Sequence, residues 1–427
     1  MSELTPTGAE KTRAWVIHPE LKNDRGRRLP EYRLAEAVSL AAALPEMEVV
    51  GSEVVRLARP HPGLLFGTGK VEELGQRLKE NEVSLVLVDG PVTPVQQRNL
   101  EKEWGVKLLD RTGLILEIFA DRARTREGVL QSELAALSYQ RTRLVRAWTH
   151  LERQRGGFGF VGGPGETQIE SDRRAIDEQI LRLKRQLDKV VRTRELHRAA
   201  RRKVPFPIVA LAGYTNAGKS SLFNRITGAE VMAKDMLFAT LDPVMRGITL
   251  PSGRKVILSD TVGFISELPT QLVAAFRATL EEVLEADLIL HVRDISHPET
   301  GEQAADVQEI LTSLGVRAEV PVLEVWNKLD LVDPTTRETL IDAAARRADV
   351  LPVSAMTGEG VDALLAVINE HLGEERHKRS LLLGFTEGRK RAWLHERGLI
   401  TTEKQTEEGW AVEVFWTDRQ AQQFRNL

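Results

Sequence analysis

The sequence has no cysteine in 427 residues. That excludes a disulfide framework and any thiolate chemistry, and it fits a reducing cytoplasm. Long apolar runs are missing too: no segment approaches the roughly 20 residues needed to cross a bilayer. The opening MSELTPTGAEK lacks the apolar core of a secretion signal. A cytoplasmic protein is the expectation, with a peripheral membrane location left open and no membrane partner. Nothing marks a dimerisation surface, so a monomer is the default. What is present is an ordinary soluble composition, 42% hydrophobic and 28% charged, in a chain long enough for about three domains at roughly 150 residues each. The net charge of −3 looks bland and conceals a strong asymmetry.

The stretch that organises the chain is PIVALAGYTNAGKSSL, Pro207 to Leu222. An apolar run predicts a buried strand, Gly213 to Ser220 then has the spacing G-x-x-x-x-G-K-[ST], and a helical pattern follows. Such a loop curls its main-chain N–H groups around phosphate oxygens, aided by the partial positive charge of the next helix. Lys219 would reach the β and γ phosphates, and the Ser220 hydroxyl would ligate Mg²⁺.

Residues 1–121 alternate strand-like and helical stretches, which predicts a small α/β unit with a mainly parallel sheet. Within it, Gly67-Thr-Gly-Lys70-Val71 is a poor second phosphate loop, because Leu64 stands where a glycine belongs and Val71 where a hydroxyl belongs. A turn capping the helix Lys70 to Glu80 is the preferred reading, against a weak nucleotide or RNA phosphate contact. A short linker leads into a nucleotide domain over 204–375, with strands expected near Val256, Leu288, Val322 and Val350. Residues 376–427 read as a small α+β unit for docking or packing.

Between these lies a different kind of segment. Over 122–203 there are twenty Lys and Arg against ten Asp and Glu, a balance of +10 that leaves −13 for the rest of the chain. Two apolar stripes, Leu130 to Leu151 and Ile169 to Val190, predict two long helices packed as an antiparallel hairpin. The tip, residues 156–165, is six-tenths glycine and carries Phe158 and Phe160. Clustered basic charge suits a polyanion, most plausibly RNA, and exposed phenylalanines can stack on bases. The candidate contacts are Arg153, Arg155, Gly157, Phe158, Phe160, Gly163, Arg173 and Arg174. The alternative is a solvated charged coiled coil with a flexible tip.

Three further motifs follow the phosphate loop in order. Phe238-Ala-Thr240 would give a hydroxyl to Mg²⁺ and an N–H to the γ-phosphate. Asp260-Thr261-Val262-Gly263 would hold Mg²⁺ through a water on Asp260 and sense the γ-phosphate through the Gly263 N–H. Loss of that phosphate would free both segments. Asn327-Lys328-Leu-Asp330 selects the base, because the Asp330 carboxylate can accept from N1–H and the exocyclic amine of guanine, and adenine offers neither donor there. Ser354 and Ala355 would close over the base, the Ala355 N–H meeting O6. The expected GTP contacts are Gly213, Tyr214, Thr215, Asn216, Ala217, Gly218, Lys219, Ser220, Ser221, Phe238, Thr240, Asp260, Thr261, Val262, Gly263, Asn327, Lys328, Asp330, Ser354 and Ala355. The metal set is Ser220, Thr240 and Asp260.

With these motifs in this order, the chain resembles the translation-factor-related P-loop GTPases and, within them, the HflX family. The resemblance also rests on FGTGKVEEL (Phe66 to Leu74) and GGPGETQIESDRR (Gly162 to Arg174). It implies a GTPase domain preceded by an α/β subdomain and a helical hairpin. It further implies binding to the large ribosomal subunit near the peptidyl transferase centre and dissociation of stalled or idle ribosomes under stress. Other readings are a GTP switch acting on another RNA or protein, and an ATP-dependent RNA remodeller. Lys219, Thr240, Gly263 and Asn216 are the catalytic candidates. Phe264 stands where many small GTPases place a water-orienting glutamine, so slow turnover alone and stimulation by a partner are expected. Asn216 resembles the asparagine that holds K⁺ beside the phosphates in potassium-activated relatives, or it merely braces the loop.

Overall fold

The structure is a computed structural model that describes residues 11–22, 28–154, 164–201, 206–229, 237–238, 240–241, 243–266, 282–317, 319–372, 377–406 and 409–425. Side chains at 144–154, 164–170, 191, 193–201 and 418–419 lie outside that description.

Strand β1 (Thr12–Leu21) has an unbroken apolar centre, Ala14 to Ile17, and all four residues are buried. Such a strand suits the middle of a parallel sheet covered on both faces. It lies between β2 (Met47–Leu57) and β3 (Leu85–Val88), with β4 (Lys107–Asp110) beyond, all parallel, in the order β2-β1-β3-β4. Alternate side chains leave a strand on opposite faces. Trp15 and Ile17 therefore pack with α2 (Thr68–Glu80) and α3 (Pro94–Trp104), while Ala14 and Val16 pack with α1 (Pro30–Ala42) and α4 (Arg111–Arg122).

Helix α4 is an element the sequence reading did not anticipate. Asp110 caps it by accepting from the Gly113 N–H at 2.8 Å, and Leu114, Ile115, Leu116, Ile118 and Phe119 are all buried. A helix buried on most sides lacks the one-faced stripe that announces a helix.

Two long helices follow, α5 (Arg126–Gln154) and α6 (Pro164–Arg201). Leu137 and Leu183 share a groove between them and Arg141 pairs with Asp177 at 2.7 Å, so rising numbers on one helix meet falling numbers on the other. The hairpin is antiparallel. Its base is fastened to the first unit: Arg143 donates to Asp110 at 3.0 Å, and Tyr139 bonds the same carboxylate.

The second sheet has the order β10-β9-β8-β5-β7-β6. Its strands are β5 (Ile208–Gly213), β6 (Val244–Thr249), β7 (Lys255–Asp260), β8 (Leu288–Asp294), β9 (Val322–Asn327) and β10 (Val350–Pro352), parallel except for β6 against β7. From β5 the chain winds to one side and returns for β8 on the other. The loop after β5 therefore sits at the reversal point, where open α/β sheets bind ligands. Helices α7 (Lys219–Thr227) and α10 (Val361–Leu372) cover one face; α8 (Thr300–Leu314) lies on the other, and α9 (Pro334–Ala345) packs near β10.

A three-stranded antiparallel sheet ends the chain: β11 (His377–Leu383), β12 (Ile400–Thr406) and β13 (Gly409–Trp416), ordered β11-β13-β12. Helices α11 (Gly388–Glu396) and α12 (Asp418–Arg425) press Leu394 and Phe424 onto Val412, Val414 and Trp416. The α/β fold class with an α+β C-terminal unit is what the structure shows. Among the described residues no helix is long and apolar enough to cross a membrane.

Candidate nucleotide site

Gly213 and Gly218 frame the loop because nothing larger fits. A Cβ on Gly213 would lie 2.2 Å from the Val292 carbonyl oxygen. At Gly218, φ is 89° and a Cβ would come within 2.2 Å of Asn327 Nδ2. Gly218 offers α7 no side-chain cap, so the N–H groups of the first turn, Lys219 to Ser221, are left for an anion. Thr215 and Ala217 are buried, and the Thr215 N–H donates to Phe264 O at 2.7 Å. Asn216 is exposed at the rim in a left-handed conformation, φ 58°.

Lys219 is buried at the base of the loop and donates to the carbonyls of Tyr214 at 2.8 Å and Gly213 at 3.1 Å. Burial holds its ammonium down to about 8; Asp260 opposes that shift and Lys328 adds to it. The Tyr214 side chain departs from expectation. Its hydroxyl bonds Glu36 and accepts from the Ser266 N–H at 2.8 Å, so the ring serves the seam with the first α/β unit, leaving only its main chain to the loop.

Three oxygens expected to hold metal meet beside Lys219. Ser220 Oγ and Thr240 Oγ1 donate to Asp260 Oδ2 at 2.7 and 2.9 Å, and the two hydroxyls are 2.9 Å apart. The other oxygen, Asp260 Oδ1, is buried without a hydrogen-bond partner among the described residues. Burial raises the Asp260 pKa, against the pull of Lys219. An orphaned carboxylate oxygen among hydroxyls fits a hard divalent cation such as Mg²⁺. Thr261 donates from Oγ1 to Leu211 O at 2.6 Å, Val262 is buried, and Gly263 backs onto the loop, where a Cβ would meet Thr215 at 2.8 Å. Phe238 differs from expectation as Tyr214 does: its ring is buried edge-on against Phe119 of α4, 4.7 Å between centroids.

At the base end, Asn327 Nδ2 donates to Ala217 O at 2.9 Å and Oδ1 accepts from the Ala355 N–H at 3.0 Å. That N–H, expected on guanine O6, is thus taken by Asn327 in this structure. Ser354 Oγ donates to Asp330 Oδ1 at 2.6 Å, and Lys328 pairs with Asp294 at 2.7 Å. Arg225 of α7 holds the Ala355 carbonyl at 3.0 Å, a brace that the sequence reading missed.

With this geometry in place, comparison with known proteins gives four family matches in chain order. They are "GTP-binding GTPase N-terminal" over 31–120, "GTP-binding GTPase Middle Region" over 122–201, "50S ribosome-binding GTPase" over 208–328 and "HflX C-terminal domain" over 339–426. The GTPase HflX of Magnetococcus marinus is 48% identical over 92% of this chain and 89% of its own length. That of Escherichia coli is 45% identical over 82% of each chain. The chain belongs to the HflX GTPase family. A solved GTP-binding protein from Sulfolobus solfataricus, in complex with GDP, is 24% identical over 84% of this chain and 98% of its own, with a TM-score of 0.45.

In this HflX-family chain the nucleotide cleft is backed by charges that sequence reasoning overlooked. Arg28 reaches Glu299 at 2.8 Å, Glu36 and the Tyr214 hydroxyl at 2.9 Å, and Ser266 Oγ at 3.0 Å. Arg111 bonds Asp89 at 2.6 Å and the Ser266 carbonyl at 3.1 Å. Burial works against the Glu36 and Asp89 carboxylates, but Arg111 beside both holds them below their usual range. The available signal was position: Asp89 and Arg111 follow the apolar strands β3 and β4 directly. On the hairpin, Arg173 and Arg174 are exposed, Arg153 lies on α5 with its side chain outside the description, and Arg155, Gly157, Phe158, Phe160 and Gly163 are outside the described residues. Lys70 is taken by Glu53 at 2.7 Å and Glu73 at 3.0 Å, which leaves the FGTGK stretch to carboxylates.

Proposed function

We propose that the cleft binds Mg²⁺ and GTP, hydrolyses the γ-phosphate bond, and is stimulated by the large ribosomal subunit, which the basic hairpin engages so as to dissociate stalled or idle ribosomes under stress. The observation that carries the nucleotide reading is the convergence of Ser220, Thr240 and the half-unsatisfied Asp260 at the mouth of the phosphate loop. Support for the ribosome comes from the +10 hairpin and from the "50S ribosome-binding GTPase" match.

The residues divide the work. The loop N–H groups and Lys219 cradle the phosphates and stabilise charge as the bond to the γ-phosphate breaks. Ser220, Thr240 and Asp260 would hold Mg²⁺, which would supply further charge neutralisation on the phosphate oxygens. Phe264 is fully buried and apolar, so no side chain at that position orients the attacking water. Turnover alone is therefore slow, and the missing group comes from the ribosome or from a cation beside Asn216. Turnover that is equal in potassium and sodium buffers would remove the Asn216 role.

The deciding measurement is GTP hydrolysis with and without purified large subunits, for the intact chain and for a deletion of Gly162 to Gly165. Strong stimulation lost in the deletion supports the ribosomal reading. Stimulation absent with every preparation leaves a GTP switch acting on another RNA or protein.

A further inference from the structure

Six non-glycine residues among those described have positive φ, and Phe238 at 56° is the one aromatic among them. A bulky side chain in that region is rare, and such a conformation persists only where its surroundings over-determine it. Here the surroundings come from another part of the chain. Phe238 is 2% exposed and its ring meets Phe119 of α4 edge-on, 4.7 Å between centroids at 86°. Leu114, Ile115 and Ile118 of α4 belong to the same apolar cluster, together with Leu237, Leu241 and Phe264. Two residues after Phe238, Thr240 places its hydroxyl 2.9 Å from both Asp260 Oδ2 and Ser220 Oγ.

The threonine of the metal corner thus follows by two residues a contact made outside its own sheet. The edge-to-face geometry is directional, because the positive rim of one ring meets the negative face of the other. It restricts where the Phe238 backbone can run, and Thr240 stands two positions on in the sequence.

We propose that Phe119 is a positioning residue for GTP hydrolysis: by seating Phe238 it holds Thr240 at the metal corner, which makes the first α/β unit part of the γ-phosphate-sensing apparatus. This rests on the reading that the cleft binds Mg²⁺ and GTP. Phe119 is buried in the apolar cluster and is not among the candidate metal or nucleotide contacts, so its removal should affect the one state that uses Thr240.

The test is release of a fluorescent, non-hydrolysable GTP analogue and of fluorescent GDP from the full chain, each in Mg²⁺ and in EDTA. Phe119→Ala is expected to speed release of the analogue in Mg²⁺ about tenfold and to leave GDP release in EDTA within about twofold. Phe119 also packs inside its own unit, so Phe238→Leu, which changes no residue of that unit, carries the test if the first variant fails to fold. The two effects should not add in the double variant, because both remove one contact. Equal acceleration in all four conditions, full additivity, or no change with Phe238→Leu overturns the proposal. A Thr240→Ala control locates the failure. If it too leaves analogue retention in Mg²⁺ intact, the metal reading falls and the positioning with it; if it alone loses retention, only the positioning falls.

Discussion

Lys219 commits its ammonium to two main-chain carbonyls, an arrangement that keeps a buried charge solvated until phosphate arrives. Burial lowers its pKa from 10.5 to about 8, so in the empty site the charge is lost as pH rises through 8. Phosphate would restore it, and nucleotide binding above pH 8 should take up a proton. Affinity for GDP should then fall as pH rises from 8 towards 10.5, at most about tenfold per unit. Calorimetry in buffers of differing ionisation enthalpy measures the uptake, and pH-independent binding across that window would refute it. The same linkage makes the unfolded chain the greater proton binder there, so this lysine's contribution to stability rises with pH. Asp330 is the residue we propose selects the base. Its carboxylate already accepts from Ser354 Oγ at 2.6 Å, which fixes one oxygen and leaves the other for guanine. Asp330→Asn exchanges an acceptor for a donor, and GTP affinity should drop by about 2 kcal/mol or roughly thirtyfold. Xanthosine triphosphate, whose C2 carbonyl needs a donor, should recover most of that loss in a competition assay.

Helix α4 connects the two α/β units. One side of it carries Phe119 to Phe238, and its first residue, Arg111, ties Asp89 and Glu36 to the Ser266 carbonyl. Arg111→Ala takes the shared cation from two buried carboxylates, leaving Glu36 to Arg28 and Asp89 to His18, and should cost about 3 kcal/mol, seen as earlier urea unfolding of the first unit. Adding Asp89→Asn and Glu36→Gln should recover part of it. Both carboxylates titrate below their ordinary values of 3.8 and 4.5, so the stabilisation is complete above those values and is lost as pH falls through the depressed ones. The elements most legible in the sequence were those whose signal is local. Gly213 to Ser220 has fixed spacing, and the Leu85–Val88 run reads as a buried strand. What escaped were contacts between residues far apart in the chain: α4, buried nearly all round, and the Arg28 and Arg111 clusters, whose partners lie as much as 271 positions away. Tyr214 and Phe238 show the same limit from within a motif, since motif spacing says nothing of the direction in which a side chain leaves the backbone.

Across the whole molecule, charge separates from chemistry. The nucleotide cleft sits at the reversal point of the second sheet, while the hairpin gathers +10 and leaves −13 elsewhere. An acidic body with a basic arm is oriented by any polyanion before contact, because the arm is drawn in and the body is held off. The arm also has a firm base: Arg143 and Tyr139 bond Asp110, the residue that caps α4. If the four arginines around the tip, Arg153, Arg155, Arg173 and Arg174, each neutralise a phosphate, binding to large subunits should weaken with salt. The log–log slope should be about −3, at roughly −0.7 per contact. Arg173→Ala or Arg174→Ala should each flatten that slope by about one contact and leave hydrolysis without subunits unchanged. Co-sedimentation across a potassium chloride series measures the slope. A slope near zero, or one that these variants leave intact, would mean that the arm's charge keeps the hairpin soluble and that the subunit is recognised by another face.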